Sequence, residues 1–248
     1  MDIQSARIIV TGGGSGLGAA TARHLRGRGA TVTLFDRDTA AGQAMAEEIG
    51  ASFAFVDVTD EDSVAAGIAA AKAAMGGIDA VVNCAGIAPA ARIVGRKGAH
   101  SLTLFRTVID VNLIGSFNVL RLAATEMAAN GRDENGVIIN TASVAAFEGQ
   151  KGQAAYAASK AGIAGLTLPL ARDLASQRIR VCTIAPGIFG TPMLRGLPQN
   201  VQDSLAEEVT FPKRLGEPEE YARLAAFLIE SPYMNGETIR IDGALRMR

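Results

Sequence analysis

Short runs of apolar, β-branched residues recur along the chain and alternate with longer stretches in which apolar positions return every three to four residues. The runs at 7–11, 31–35, 52–56, 79–83, 137–141, 180–184 and 238–241 have the length and the Val, Ile and Thr content of strands buried on both faces. Helical periodicity covers 19–29, 39–49, 104–129, 153–176 and 217–230, and one more helix starts near Thr59 or Asp60. Strand and helix alternating at this spacing predict an α/β fold: a Rossmann-type doubly wound parallel sheet flanked by helices on both faces. Nothing resembles a linker or a repeat, so residues 1–248 read as one domain.

Two stretches depart from the alternation. Residues 87–103 are polar and glycine-containing (Arg92, Gly95, Arg96, Lys97, Gly98, His100) and read as a surface loop near the mouth of the sheet. After the sharp break at Pro186 and Gly187, residues 188–215 mix Leu, Pro and charges. Their part from 194 onward suits a mobile lid. These two segments are the expected substrate loops.

Composition narrows the class of partner. With 248 residues, 48% of them hydrophobic, the chain can bury a substantial core, and a net charge of −1 without a polybasic run argues against nucleic acid or an anionic membrane surface. Cys84 and Cys182 lie far apart in strand-like contexts, as buried thiols in a reducing compartment do, and with two histidines, His24 and His100, no metal site is expected. No stretch reaches about 18 uninterrupted apolar residues, and the first residues do not form a basic leader, so the expected location is cytoplasmic.

The candidate chemistry sits at strand ends. Strand 7–11 runs into Gly12-Gly13-Gly14-Ser15-Gly16-Leu17-Gly18 and then a helix, an order that brings backbone N–H groups close to a pyrophosphate. Asp36, at the tip of the second strand, is placed to accept hydrogen bonds from a ribose diol and to repel a 2′-phosphate, which points to NAD; the adjacent Arg37 reads as a solvated charge. Asp57 and Val58 follow the third strand where an adenine ring would lie, with helix capping as the plainer role for Asp57. Asn83-Cys84-Ala85-Gly86 follows the fourth strand with small residues suited to a flat ligand, Cys84 contributing packing and backbone.

Asn112 stands among apolar residues of a helix and needs a specific partner, either locally at a bend or as a water-mediated relay to Lys160. Ser143 falls just past the fifth strand. Tyr156 and Lys160, four apart, stack on one helical face, so that an ammonium can act on a phenol. Between Ser143 and Tyr156, Gln150 and Gln153 suit either a substrate carbonyl or the cap of the following helix.

Taken in order, Thr11 to Gly18, Asp36, Asp57-Val58, Asn83 to Gly86, Asn112, Ser143, Tyr156-Ala-Ala-Ser-Lys160, and Pro186-Gly187 with Thr191 resemble the short-chain dehydrogenase/reductase family over essentially the whole chain. The one departure, Cys84 where Asn is common, is conservative. The resemblance implies Tyr156 as general base, Lys160 and the cofactor's charge as its support, Ser143 as the substrate's hydrogen-bond partner and Asn112 as the link to solvent. It also adds Pro186, Gly187, Phe189 and Thr191 to the cofactor site.

Gly136 to Gln150, Thr183 to Pro192, the insertion around Lys97-Gly98 and Ile241 to Met247 are similar, more narrowly, to the type II 3-hydroxyacyl-CoA dehydrogenases, also called 17β-hydroxysteroid dehydrogenase type 10. That resemblance implies NAD-dependent oxidation of 3-hydroxyacyl-CoA or 3-hydroxy-2-methylacyl-CoA thioesters by a homotetramer. Steroids or other secondary alcohols are the alternative substrates, and a non-catalytic NAD-binding scaffold is the alternative of another class.

Overall fold

The computed structural model describes residues 1–96, 98–196 and 198–247; Lys97 and Leu197, which belong to the two expected substrate loops, lie outside the described residues. Seven strands form one sheet: β1 (Arg7–Thr11), β2 (Thr31–Asp36), β3 (Ser52–Phe55), β4 (Ala80–Asn83), β5 (Gly136–Thr141), β6 (Ile179–Pro186) and β7 (Thr238–Ile241). Their order is β3-β2-β1-β4-β5-β6-β7, every neighbouring pair parallel. Direction in the order reverses beside β1, which opens a crevice at the carboxyl ends of β1 and β4. The expected doubly wound sheet is thus observed.

Strand pleating explains why these runs are apolar throughout. Ile8, Val10, Leu34, Val82, Ile139 and Ile184 pack into one core, while Ile9, Phe35, Val81, Ile138 and Val181 pack into the other, on the opposite face. Helices α1 (Gly16–Gly27), α2 (Thr39–Ile49) and α3 (Glu61–Met75) connect the first four strands. Asp38 and Asp60 cap α2 and α3 by accepting from the N–H groups of Ala41 and Ser63, and Gly50 and Gly76 end them in left-handed conformation. The capping role considered for Asp57 therefore falls to Asp60.

The long helix α4 (Leu102–Ala128) has the length and apolarity to cross a membrane, but half of its most apolar window is buried and its side chains pack on β4 and β5. That is the signature of a core helix. At Asp110–Ile114 it widens into a π-turn, a feature the periodicity of 104–129 does not reveal. Helix α5 (Ala154–Asp173) follows β5 and lies beside α4.

The described part of 87–103 is mostly exposed, as expected, and is irregular up to the start of α4 apart from an exposed two-residue antiparallel ribbon pairing Val94 with Ala99 and Gly95 with Gly98. The segment 188–215, read as a mobile lid from 194 onward, contains two short helices, α6 (Pro192–Arg195) and α7 (Gln199–Glu207). It is tied down by Arg195, which donates to the carbonyl of Gly190 and pairs with Glu217 ahead of α8 (Pro218–Glu230).

Candidate active site

The glycine loop between β1 and α1 is shaped by contacts that a side chain would destroy. A Cβ on Gly18 would stand 2.1 Å from the Gly12 carbonyl oxygen, and Gly12 itself has φ of +62° with the Ala85 backbone against it. Ser15 makes no capping bond with its side chain, and no acidic residue occupies the first turn of α1. The positive end of the helix therefore faces the groove with no acidic residue in its own first turn to meet it, a condition that a dinucleotide's diphosphate satisfies.

Gly12, Ser15, Gly16, Leu17 and Gly18 line this groove together with Asp36, Asp57, Val58, Cys84, Ala85, Gly86, Tyr156 and Thr191. Asp36 uses its two oxygens to accept from the N–H groups of Gly14 and Asp38 at 2.9 and 3.0 Å, so it orders the glycine loop while bordering the groove. Arg37, expected to be only a solvated charge, is exposed yet also stands on the groove wall. Asp57 accepts from both the N–H and the hydroxyl of Thr59, which holds its carboxyl below the usual range.

Asn83 does not reach the groove. It is 2% exposed, and its amide donates to Asn140 at 3.0 Å, bonding the ends of β4 and β5. The role its side chain has here is structural: the amide fixes the strand end from which Cys84, Ala85 and Gly86 continue.

A second cavity of about 310 Å³ shares Leu17, Cys84, Gly86, Ile87, Tyr156 and Thr191 with the groove and brings in Ser143, Lys160, Gln153, Pro186, Gly187 and Phe189. Pro186, Gly187, Phe189 and Lys160, expected at the cofactor, thus line this cavity and not the groove. Gln153 accepts from the Gln150 N–H at 3.0 Å and makes no capping bond to α5, whereas Gln150 is absent from the cavity wall. Of the two glutamines expected at the substrate, Gln153 therefore stands on the cavity wall and Gln150 does not, its backbone N–H orienting the Gln153 amide.

Ser143, Tyr156 and Lys160 converge here as their spacing requires. Burial raises the Tyr156 phenol above its ordinary value, and a hydrogen bond with Ser143 pulls the other way. The Lys160 ammonium stands 5.8 Å from the Tyr156 ring centroid and donates to the Thr141 carbonyl at 2.7 Å. Burial lowers its pKa to about 8. Such a set can exchange a proton with an oxygen placed between serine and tyrosine.

Asn112 is satisfied by partners on two other segments. Its amide accepts from the Ile87 N–H at 2.8 Å and donates to the Ile87 carbonyl and the Ser159 hydroxyl at 2.9 and 3.0 Å. The π-turn aims it across to both segments, and no side-chain bond joins it to Lys160. Residues missed by the sequence reading include Tyr221, fully buried on α8, whose hydroxyl lies 2.6 Å from that of Thr141 and 3.7 Å from the Cys84 sulfur. A tyrosine within an apolar helical stripe carries no signal of such a contact.

The buried ammonium has a measurable consequence. Below about pH 8 the folded protein must hold Lys160 charged out of water; between about 8 and 10.5 the folded lysine is neutral while the unfolded one is still charged. Wild type is therefore expected to gain stability over Lys160→Met across this window by roughly 3 kcal/mol. The Thr141 carbonyl left unpaired in the variant adds a pH-independent offset. Urea titrations of both proteins across that range check it, and parallel pH dependences would refute it.

The sequence model of a family described as enoyl-(acyl carrier protein) reductase matches residues 12–245. The human protein 3-hydroxyacyl-CoA dehydrogenase type-2 is 56% identical over 247 residues, covering 97% of this chain and 95% of its own. Ipsdienol dehydrogenase of Ips pini is 36% identical, covering 98% of each. The crystal structure of 3-hydroxyacyl-CoA dehydrogenase type-2 from Mycobacterium avium superposes with a TM-score of 0.94 at 44% identity, over 99% of this chain and 98% of that one.

Proposed function

The chain belongs to the short-chain dehydrogenase/reductase family, and we propose that it is an NAD-dependent oxidoreductase converting 3-hydroxyacyl-CoA or 3-hydroxy-2-methylacyl-CoA thioesters to the 3-keto forms. The observation that carries this reading is the junction at Tyr156, whose ring borders both the glycine groove and the cavity holding Ser143 and Lys160. The names of its relatives supply the thioester. The apolar cavity wall, with Ile87, Ile188, Phe189 and Leu194, suits an acyl chain.

Bound nicotinamide supplies the acceptor for the hydride. The chain's own residues do the rest. Ser143 holds the substrate hydroxyl, Tyr156 takes its proton, and the Lys160 cation lowers the cost of the phenolate that burial raises. The α1 N-terminus and glycine loop hold the diphosphate, and Asp36 accepts from the adenosine ribose. Asp36→Ala is expected to weaken NAD binding and narrow discrimination against NADP, and dissociation constants for both cofactors check it; an unchanged ratio would overturn the ribose assignment.

Exposed apolar residues on α4 and α5, Ile114, Phe117 and Leu168, support a homo-oligomer, a homotetramer by family resemblance. Steady-state kinetics on 3-hydroxyacyl-CoA thioesters against steroid alcohols test the substrate reading. The thioesters are expected to give the larger kcat/KM, and the reverse order would assign the protein to steroid or other secondary alcohols.

A further inference from the structure

Beyond Asp242, which directly follows β7, the chain turns back towards the active site and is fastened there more firmly than an ordinary trailing segment. Ala244 adopts φ of +62°, its N–H donates to the Asp242 carboxylate, and Leu245 beyond it is completely buried. Arg240 on β7 then joins three pieces of chain. Its guanidinium meets both oxygens of Glu148 at 2.9 and 3.1 Å, the Asp242 carboxylate at 2.7 Å and the Leu245 carbonyl at 2.9 Å.

Glu148 lies in the loop that starts at Ser143. It also accepts from the Met247 N–H at 3.3 Å, and Arg246 pairs with both Glu148 and Asp242. The result of this fastening is that Met247 stands on the wall of the cavity that contains Ser143, Tyr156 and Lys160. A bidentate arginine–carboxylate pair fixes direction as well as distance, so the loop bearing Ser143 and the segment bearing Met247 move together.

We propose that Met247 is a specificity-determining residue that bounds the acyl end of the substrate, and that Glu148 and Arg240 are the positioning pair that holds it there. This rests on the acyl-thioester reading of the same cavity. The thioether is unbranched and adaptable, which suits a wall against acyl chains of differing shape. Because Met247 lines this cavity and not the glycine groove, its alteration is expected to act on substrate selection more than on dinucleotide binding.

The test is kinetic, with 3-hydroxyacyl-CoA thioesters of increasing chain length offered to wild type, Met247→Ala, Met247→Trp and Glu148→Gln. Met247→Ala is expected to raise the kcat/KM ratio of long to short chains by about tenfold and Met247→Trp to lower it by a similar factor, the scale of a methylene or two in an apolar pocket. Glu148→Gln is expected to raise KM for the thioester several-fold with kcat and the NADH dissociation constant near wild type. A length profile unchanged in both Met247 variants overturns the assignment of Met247. A Glu148→Gln protein that loses thioester and NADH affinity together overturns the positioning role. Failure of wild type to turn over any thioester instead overturns the underlying functional reading.

Discussion

Replacing Tyr156 by Phe is expected to lower kcat for alcohol oxidation by about 10²–10⁴-fold, the range that one positioned general base contributes, with cofactor affinity near that of wild type. The phenylalanine keeps the ring that borders the glycine groove and removes only the hydroxyl. No neighbour can take over the proton. Ser143 has an ordinary hydroxyl whose oxygen already accepts from the Ala145 N–H, and Lys160 is committed to the Thr141 carbonyl. Cys84 is driven away from ionisation by its burial. Single-turnover kinetics alongside cofactor titration separate the two effects. Activity above about a few per cent of wild type, outside the range for a lost base, would remove Tyr156 from that role.

The largest expected effect on stability lies away from the chemistry, at Arg180 on β6. Its guanidinium is buried and donates to Glu134 at 2.7 Å and to the carbonyls of Leu228, Ile229, Ser231 and Met234 at 2.8–3.0 Å, closing the end of α8. Arg180→Met leaves these acceptors without their donor, which is expected to cost about 3–5 kcal/mol and lower the melting temperature by roughly 10 °C. The same helix carries Tyr221 against Thr141, so its loosening reaches the carbonyl that holds Lys160. Calorimetry checks the magnitude, and a loss under about 1 kcal/mol would show that the helix end is satisfied in another way.

The sheet was legible because strands buried on both faces must be continuous apolar runs, and each such run in this chain became a strand within a residue or two. The glycine loop and the Ser143, Tyr156 and Lys160 set were legible because their spacing has a local geometric meaning. What remained hidden depends on distant partners. Asp57 and Asp60 are three apart and chemically equal as caps, and only the actual start of α3 chooses Asp60. Pro192 belongs to a stretch whose sequence breaks regular structure, yet it opens α6 at the position where a missing N–H costs nothing. The roles of Asn83, Asn112 and Met247 are set by residues tens of positions away. No periodicity records such contacts.

One measurement bears most directly on the central claim: the fall in NADH absorbance when purified protein is offered acetoacetyl-CoA, repeated with NADPH and with Tyr156→Phe. The expected result is saturable oxidation of NADH, much weaker use of NADPH, and loss of turnover in the variant. Tight NADH binding with no consumption of NADH by wild type would contradict the account and leave a cofactor-binding scaffold in its place.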